Sequence, residues 1–520
     1  MKLLIKNILS ISLFTVVITS CKKQVLDINT DPNNPTTSSA TPGLVLPSAL
    51  RNLAITYNAP TIGNNQFAFA GIWLGHIGYS GNYAISTENL SYALTNNFAA
   101  GLWANLYDNN NDFDFIYQKG KTQGNPFFEG IGLLMKVYNF QTLVDNYNNV
   151  PYSTALQGTV YSKPTYDNGK AVYDDLAKQI DAAVALFKTS VAGTITGDIM
   201  FGGDPSKWIK FANTVKLRLL LRQSELPDRQ AYIATEIAKI EGGYVDADVK
   251  INPGYLNSDG KQNPLWASNF NTAGTYTQDF FRAAQYSIDF FIAHNDTIRM
   301  KRIYTGVGKD NKDAMKSYYP NSMYQGNYFG DQGLTNSKTS GFGYGVLRSF
   351  DQGSIIMTAA ESYFLQAEAV VRGWIPGDAK ALYESGVTAS HVTLDAGLLI
   401  RNVANTADSV KLTPAQTAAL YYSQPGDKEV NWDATTSTAE EIAIIIRQKW
   451  VALALTNEAE AFNDYRRLKL PADIPLSLSP FSTGKFPQRL LYPQREYEVN
   501  SENVLQQGTI KPEDKVWWIK

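Results

Sequence analysis

Side-chain catalysis needs a nucleophile with its base, a pair of carboxylates, or a metal cage, and this chain supplies few of those parts. It has three His, at positions 76, 294 and 391, widely separated in sequence, and one Cys, at position 21. No HExxH zinc motif, GxSxG elbow, Walker loop or dinucleotide glycine fingerprint occurs. The nearest metal pattern is Asp108-Asn109-Asn110-Asn111-Asp112-Phe113-Asp114. A calcium loop wants Gly at its sixth position and Glu at its twelfth, where Phe113 and Lys119 stand. Leu102, Trp103, Leu106, Phe113, Ile116 and Tyr117 instead keep the spacing of a helix face. Glu361 and Glu368 could be cast as paired carboxylates, but two helical turns separate them by about 10.5 Å. A glycosidase pair stands roughly 5–9.5 Å apart. The two glutamates are therefore expected to pair with Arg between helices. No catalytic residue, metal or cofactor is expected.

Aromatic and amide groups are plentiful instead, with 30 Tyr, 24 Phe and 9 Trp. A ring face with neutral amides at its edge suits a sugar, whose C–H faces carry hydroxyl rims, and suits a peptide equally. Trp73, Tyr79 and Tyr83 fall within eleven residues, interrupted by Gly75, Gly78 and Gly81, with Asn82 beside them. Tyr324, Asn327 and Tyr328, with Gly326 and Gly330, make a second candidate, and Trp266 a third. The glycines argue for loops, and binding residues concentrate on loops held by a rigid scaffold. The competing reading is that Trp73 packs inward and the tyrosines cap the surface. Lys and Arg number 46 against 48 Asp and Glu, a formal charge of −2. No basic excess is available to neutralise a phosphate backbone, so nucleic acid is not an expected partner.

The elements around these loops read as helices. Apolar residues recur at helical steps over 127–147 and 171–188, and over the segment that follows the Asp204-Pro205 start signal. Residues 358–372 give another helix, ending at Gly373, and Ser437 with Glu440 suggests a capping box ahead of the apolar run 442–455. Alternating strand patterns are scarce, so the expected class is mainly α. Ala367-Glu368-Ala369, the break at Gly373, and then Ala379, Leu382, Tyr383 and Gly386 suit a tetratricopeptide-like helix pair, without a strict repeat. Residues 60–90 and 251–350 are loop-rich by contrast.

The first residues specify a compartment. Lys2 and Lys6 precede an apolar stretch from 8 to 18, shorter than the about 20 residues that span a bilayer but fit for a signal-peptide core. Ile18-Thr19-Ser20-Cys21 has the form of a bacterial lipobox, in which the Cys becomes the acylated N-terminus. The expected organisation is a signal peptide at 1–20, then a lipidated (palmitate-bearing) Cys21 with a flexible tether at 21–42. A helical domain at 43–520 follows, with a loop-rich insertion at about 251–350. Acylation of Cys21 leaves no thiol, which excludes disulfides and Cys-ligated zinc.

Five segments carry a resemblance to a known family. They are Asn29-Thr30-Asp31-Pro32-Asn33, and Leu143-Val144-Asp145-Asn146-Tyr147 running into Val150-Pro151-Tyr152-Ser153-Thr154-Ala155. Next come Gly203-Asp204-Pro205-Ser206-Lys207-Trp208 with Lys216-Leu217-Arg218, and Ala360-Glu361-Ser362-Tyr363-Phe364 with Arg372-Gly373-Trp374. Last are Gln448-Lys449-Trp450, Tyr465-Arg466-Arg467 and residues 487–493. In this order and behind a lipobox, they resemble the SusD/RagB lipoproteins, and most of all the starch-binding, outer-membrane-associated branch. Surface-displayed members often carry acidic residues where Lys22 and Lys23 stand here. The resemblance implies a SusD-like tetratricopeptide scaffold, lipid-anchored in the outer membrane and facing the cell surface. It also implies a role as the lid of a SusC-like TonB-dependent barrel that imports a glycan or oligopeptide. Trp208, Trp450 and Glu361 would then be structural. Two alternatives stay open: a lipid-anchored glycan-active enzyme, which would need a carboxylate pair or metal site, and a helical adaptor, which would not need the aromatic loops.

Overall fold

Caps and apolar stripes coincide along this chain, and each coincidence becomes a helix. The computed structural model describes residues 40–59, 66–158, 160–193, 197–309, 319–331, 333–401 and 409–520. Cys21, the signal segment and most of the tether lie outside the described residues.

The longer helices before the loop-rich stretch are α1 (Pro42–Asn58), α2 (Gln66–Trp73), α3 (Ala100–Thr122), α4 (Pro126–Tyr147), α5 (Gly169–Thr189) and α6 (Pro205–Leu221). After α7 (Gln285–Ala293) come α8 (Ala359–Val371), α9 (Ala379–Thr393), α10 (Pro414–Tyr422), α11 (Thr438–Leu453) and α12 (Glu458–Leu468). All five sequence-predicted helices are present, as α4, α5, α6, α8 and α11. Asp204 caps α6 by accepting from the Ser206 amide at 2.9 Å, with Pro205 at the first helical position. Thr358 caps α8 through the Glu361 amide at 3.0 Å. The capping box expected at Ser437 is only half made. The Ser437 hydroxyl accepts from the Glu440 amide at 3.3 Å, but the Glu440 carboxylate reaches the Thr436 amide at 2.6 Å and Lys428 at 2.7 Å. A complete box stands at Thr413 and Gln416, at the start of α10.

Consecutive helices pack as pairs: α3 on α4, α5 on α6, α8 on α9, and α11 on α12, with α11 also against α8. This is the expected tetratricopeptide-like arrangement. Gly386 permits one close crossing, since a Cβ there would come within 2.7 Å of the Phe364 ring. Trp208 is fully buried, stacked on Phe187 at 5.7 Å and donating from Nε1 to Asp198 at 3.0 Å. The calcium-like run at 108–114 lies inside α3, as its apolar spacing predicts. There Asn109 donates to the Ala49 carbonyl at 2.9 Å and accepts from Asn139 at 3.0 Å, so these amides join helices.

Charged groups buried between the helices, within and between the pairs, lock them together. Arg218 meets Glu361 at 3.1 Å, Arg222 meets Glu460 at 2.7 Å, and Lys449 meets Asp464 at 2.8 Å. Arg467 grips both Glu368 oxygens, at 2.5 and 2.8 Å, and Arg372 adds a third contact at 2.8 Å. Burial alone would push the Glu368 carboxyl up, but Arg467 and Arg372 hold it down at about 2. Glu361 and Glu368 thus pair with Arg from other helices, as expected, and neither is open to a substrate.

The loop-rich stretch is tied off at its base. Strand β1 (Ile77–Tyr79) precedes β2 (Val249–Ile251), β3 (Phe281–Ala283) and β4 (Ser354–Met357) along the chain. β2 and β4 pair antiparallel, Ile251 opposite Ser354, so the two ends of the 251–350 stretch leave the helical body side by side. Among the described residues between them lie only short elements, including Pro264–Ala267, α7 and Thr297–Ile303. Among the described residues no helix is long and apolar enough to cross a membrane.

Candidate ligand-binding site

The rim of the molecule around Tyr83 and Tyr328 is built outward from one strand pair. β1 runs antiparallel to β3 with Gly78 opposite Arg282 and Tyr79 opposite Phe281, so Gly78 is in a strand rather than a free loop. The helical body holds β1 from below. Trp450 of α11 donates from Nε1 to the Leu74 carbonyl at 3.1 Å and stacks on His76 with centroids 4.4 Å apart. His76 Nδ1 lies 2.7 Å from Glu458, at the start of α12, and both side chains are buried. This anchoring is the structural role expected of Trp450.

Burial divides the sequence candidates. Trp73, the last residue of α2, is fully buried, stacked parallel to Phe98 at 5.8 Å and tilted on Phe69 at 4.9 Å. Its Nε1 donates to the Asn89 carbonyl, so it offers no face to a ligand. Tyr79 is buried beside it, its hydroxyl accepting from Asn89 at 2.9 Å. Trp266 is buried in a stack on Phe270 at 4.1 Å, in the short helix Pro264–Ala267 capped by Asn263. Tyr324 is buried too, as part of a cleft wall. The Asn327 amide is fully occupied: it donates to the Tyr79 and Leu334 carbonyls at 2.7 and 2.8 Å and accepts from the Leu334 amide at 3.0 Å. Trp73, Tyr79 and Trp266 are packing groups, which corrects the expectation of a platform there, while Tyr324 and Asn327, though buried, line the cleft wall beside Tyr328.

Tyr83, Asn82 and Tyr328 remain at the surface, and the structure brings them to one rim. Tyr83 is 42% exposed and rests edge-on against Phe280, with centroids 5.6 Å apart. Asn82 accepts from the Asn336 amide at 2.7 Å and from the Ser80 hydroxyl at 2.8 Å, joining its loop to the 327–336 loop. Its Nδ2 has no protein partner among the described residues and stays in solvent. Tyr328 is 45% exposed, and its hydroxyl donates to Asp289 of α7 at 2.6 Å. That hydrogen bond, with slight burial and the carboxylate charge, raises the phenol above its ordinary value, so it stays protonated at neutral pH. Gln285 donates to the other Asp289 oxygen at 2.7 Å. A cleft of about 750 Å³ opens beside Tyr328, with the exposed Ile292, Asn321 and Gln285 on its other walls.

A third loop completes the rim, and its role is not visible in the sequence. The Leu478 amide donates to the Phe329 carbonyl at 2.9 Å, and the Thr483 amide to the Ser91 carbonyl at 2.8 Å. Gly330, at a φ of +90°, makes room for it, since a Cβ there would stand 2.5 Å from the Ser479 nitrogen. This loop presents Leu478, 63% exposed, and Phe481, 77% exposed. Phe280, Ile292, Asp289 and Phe481 are the rim residues that sequence reasoning missed. Only Phe481, an aromatic in a Ser-, Pro- and Gly-rich segment, carried the same signal as Tyr83 and Tyr328.

The architecture has counterparts among solved structures. A SusD homologue from Bacteroides fragilis superposes with a TM-score of 0.71 at 21% identity, covering 92% of this chain and 99% of the other. A chitin-binding SusD homologue from Flavobacterium johnsoniae superposes at 0.70 with 22% identity, covering 91% and 98%. A SusD-like protein from Bacteroides thetaiotaomicron gives 0.69 at 20% identity, again covering 91% and 98%. These likenesses establish the fold. No curated protein matches the chain. Residues 32–493 match the SusD-like family described as starch-binding and associating with the outer membrane, and the chain belongs to that family.

Proposed function

We propose that this chain is a surface lipoprotein, held by lipid on Cys21, that captures a glycan or oligopeptide and delivers it to a SusC-like TonB-dependent barrel. The observation that carries the capture step is the rim itself. Tyr83, Tyr328 and Phe481, from three stretches remote in sequence, are each exposed on loops that are hydrogen-bonded to one another. Exposed rings edged by neutral amides are what a sugar face needs. The reading is binding rather than catalysis, because Glu361 and Glu368, the carboxylates that might have acted as a pair, are buried against Arg218 and Arg467. Family membership supports the outer-membrane location and the barrel partner.

The test is calorimetry with a chito-oligosaccharide, a malto-oligosaccharide and a short peptide, chosen because one structural neighbour is named chitin-binding and the family is described as starch-binding. Tyr328→Ala and Tyr83→Ala are each expected to weaken the best ligand by about 1–3 kcal/mol, a scale taken from ring stacking on bases. Circular dichroism checks that both variants fold. Unchanged affinity in both moves the site elsewhere.

A further inference from the structure

A second, smaller chamber lies apart from the rim. It encloses about 220 Å³ where the end of α1, the β2–β4 pair, the 345–353 loop and the turn at 455–456 meet. Its walls are mixed: Leu265, Val346, Ile355 and Leu455 supply apolar surface, Asn58, Asn263, Thr393 and Thr456 are buried polar groups, and Arg348 and Lys250 reach toward solvent.

The hydrogen bonding of this chamber is unbalanced toward donors. Arg348 gives one guanidinium nitrogen, Nη2, to the Thr393 carbonyl, and its Nε has no acceptor. It forms no ion pair among the described residues, although nine other Arg side chains in the helical body and loops do. Lys250 has only Asp248, at 3.3 Å, and that carboxylate also accepts from Thr393 Oγ1 at 2.9 Å and from the Ala359 amide at 3.1 Å. Lys250 therefore shares an anion that is already occupied, and Arg348 has none among the described residues. The Asn58 amide is 4% exposed, lines the chamber, and its Nδ2 has no partner. A half-turn about its last torsion presents either end of the amide to the chamber. Buried donors without acceptors are costly, and a guanidinium without a counter-ion more so. A cation would meet the same charge, and a neutral ligand would leave it uncompensated. An oxyanion supplies acceptors and charge together. The volume equals about seven waters at liquid density, enough for such a group with a few attached atoms.

We propose that this chamber binds a small oxyanion, a carboxylate or a phosphate group, held by Arg348 with Lys250 at the mouth and the Asn58 amide as a neutral donor. The site is separate from the Tyr83–Tyr328 rim and does not depend on what binds there. The test titrates the folded chain by calorimetry with inorganic phosphate, acetate and glucuronate, at ionic strength matched with chloride. At least one is expected to bind saturably below tens of millimolar. Binding of phosphate alone marks a phosphate site; binding of acetate and glucuronate marks a carboxylate site. Arg348→Met is expected to weaken the bound anion by about tenfold or more, the scale of one lost charge-assisted hydrogen bond. Lys250→Met, at an exposed position that folding tolerates, is expected to weaken it measurably as well. No saturable binding of any of the three, or affinity unchanged in both variants, overturns the proposal.

Discussion

Replacing Glu368 by Gln tests the charge network that holds the helix pairs together. The carboxylate takes both Arg467 nitrogens and the Arg372 Nε, and the Glu368 and Arg467 side chains are each about 1% accessible. Its folded pKa sits at about 2 against an ordinary 4.5. That depression corresponds to roughly 3 kcal/mol at neutral pH. The general cost of removing one partner of a buried pair, roughly 3–5 kcal/mol, points to the same size. Because the folded value is depressed, the contribution is complete above about 4.5 and is lost as pH falls toward about 2. Urea unfolding followed by circular dichroism should show Glu368→Gln less stable than the parent by about 3 kcal/mol at pH 7. The gap should narrow by about 2 kcal/mol at pH 3, since the unfolded parent then takes up a proton that its folded carboxylate still resists and the variant has no such group. A gap below about 1 kcal/mol at pH 7, or one that does not change with pH, would refute the assignment of Glu368 as an ionised, Arg-locked tie between α8 and α12.

Three further outcomes follow from the same residues. Cys21→Ala should release the protein from the membrane fraction in cells lacking the barrel partner, and continued retention there counts against the lipid anchor. Gentle detergent extraction through a tag on this chain should recover a second, large outer-membrane polypeptide; recovery of this chain alone, with the transporter expressed, counts against the lid role. Trp73→Ala should lower stability by about 3–5 kcal/mol through the cavity it leaves, while the folded fraction keeps its ligand affinity. A loss of affinity with unchanged stability would return Trp73 to the binding site.

Much of the helical scaffold was legible because its causes are local. A cap, a first-turn proline and an apolar stripe lie within one helix length, and α4, α5, α6, α8 and α11 begin and end within a few residues of where those signals stand. The pairing of Glu361 and Glu368 with Arg was legible from helix geometry alone, as two turns set them too far apart to act together. The half-made box at Ser437 shows the limit of such reasoning. The Glu440 carboxylate is taken by three donors outside the motif, the Thr436 amide and hydroxyl and Lys428, in place of the Ser437 amide.

The site was less legible, because whether an aromatic ring faces solvent depends on contacts that spacing does not encode. Gly75, Gly78 and Gly81 resemble a loop, yet Gly78 is in a strand whose partner, Arg282, lies about two hundred residues away. Trp73 ends a helix whose residues are all buried, and a run apolar on every side, Gln66-Phe67-Ala68-Phe69-Ala70-Gly71-Ile72-Trp73, is the one local sign that it points inward. Tyr83 and Tyr328 share composition with Tyr79 and Tyr324, yet inter-loop hydrogen bonds at their chain neighbours Asn82, Asn327 and Phe329 leave these two rings outside. Asn327 shows the same rule from the polar side. Its amide was a candidate ligand group, and the fold uses it instead to close its own loop on Leu334 and to tie that loop to the Tyr79 carbonyl of the strand that leads to Tyr83. The residues that build the rim and the residues that display on it are therefore of one chemical type, and only the long-range hydrogen bonds separate them.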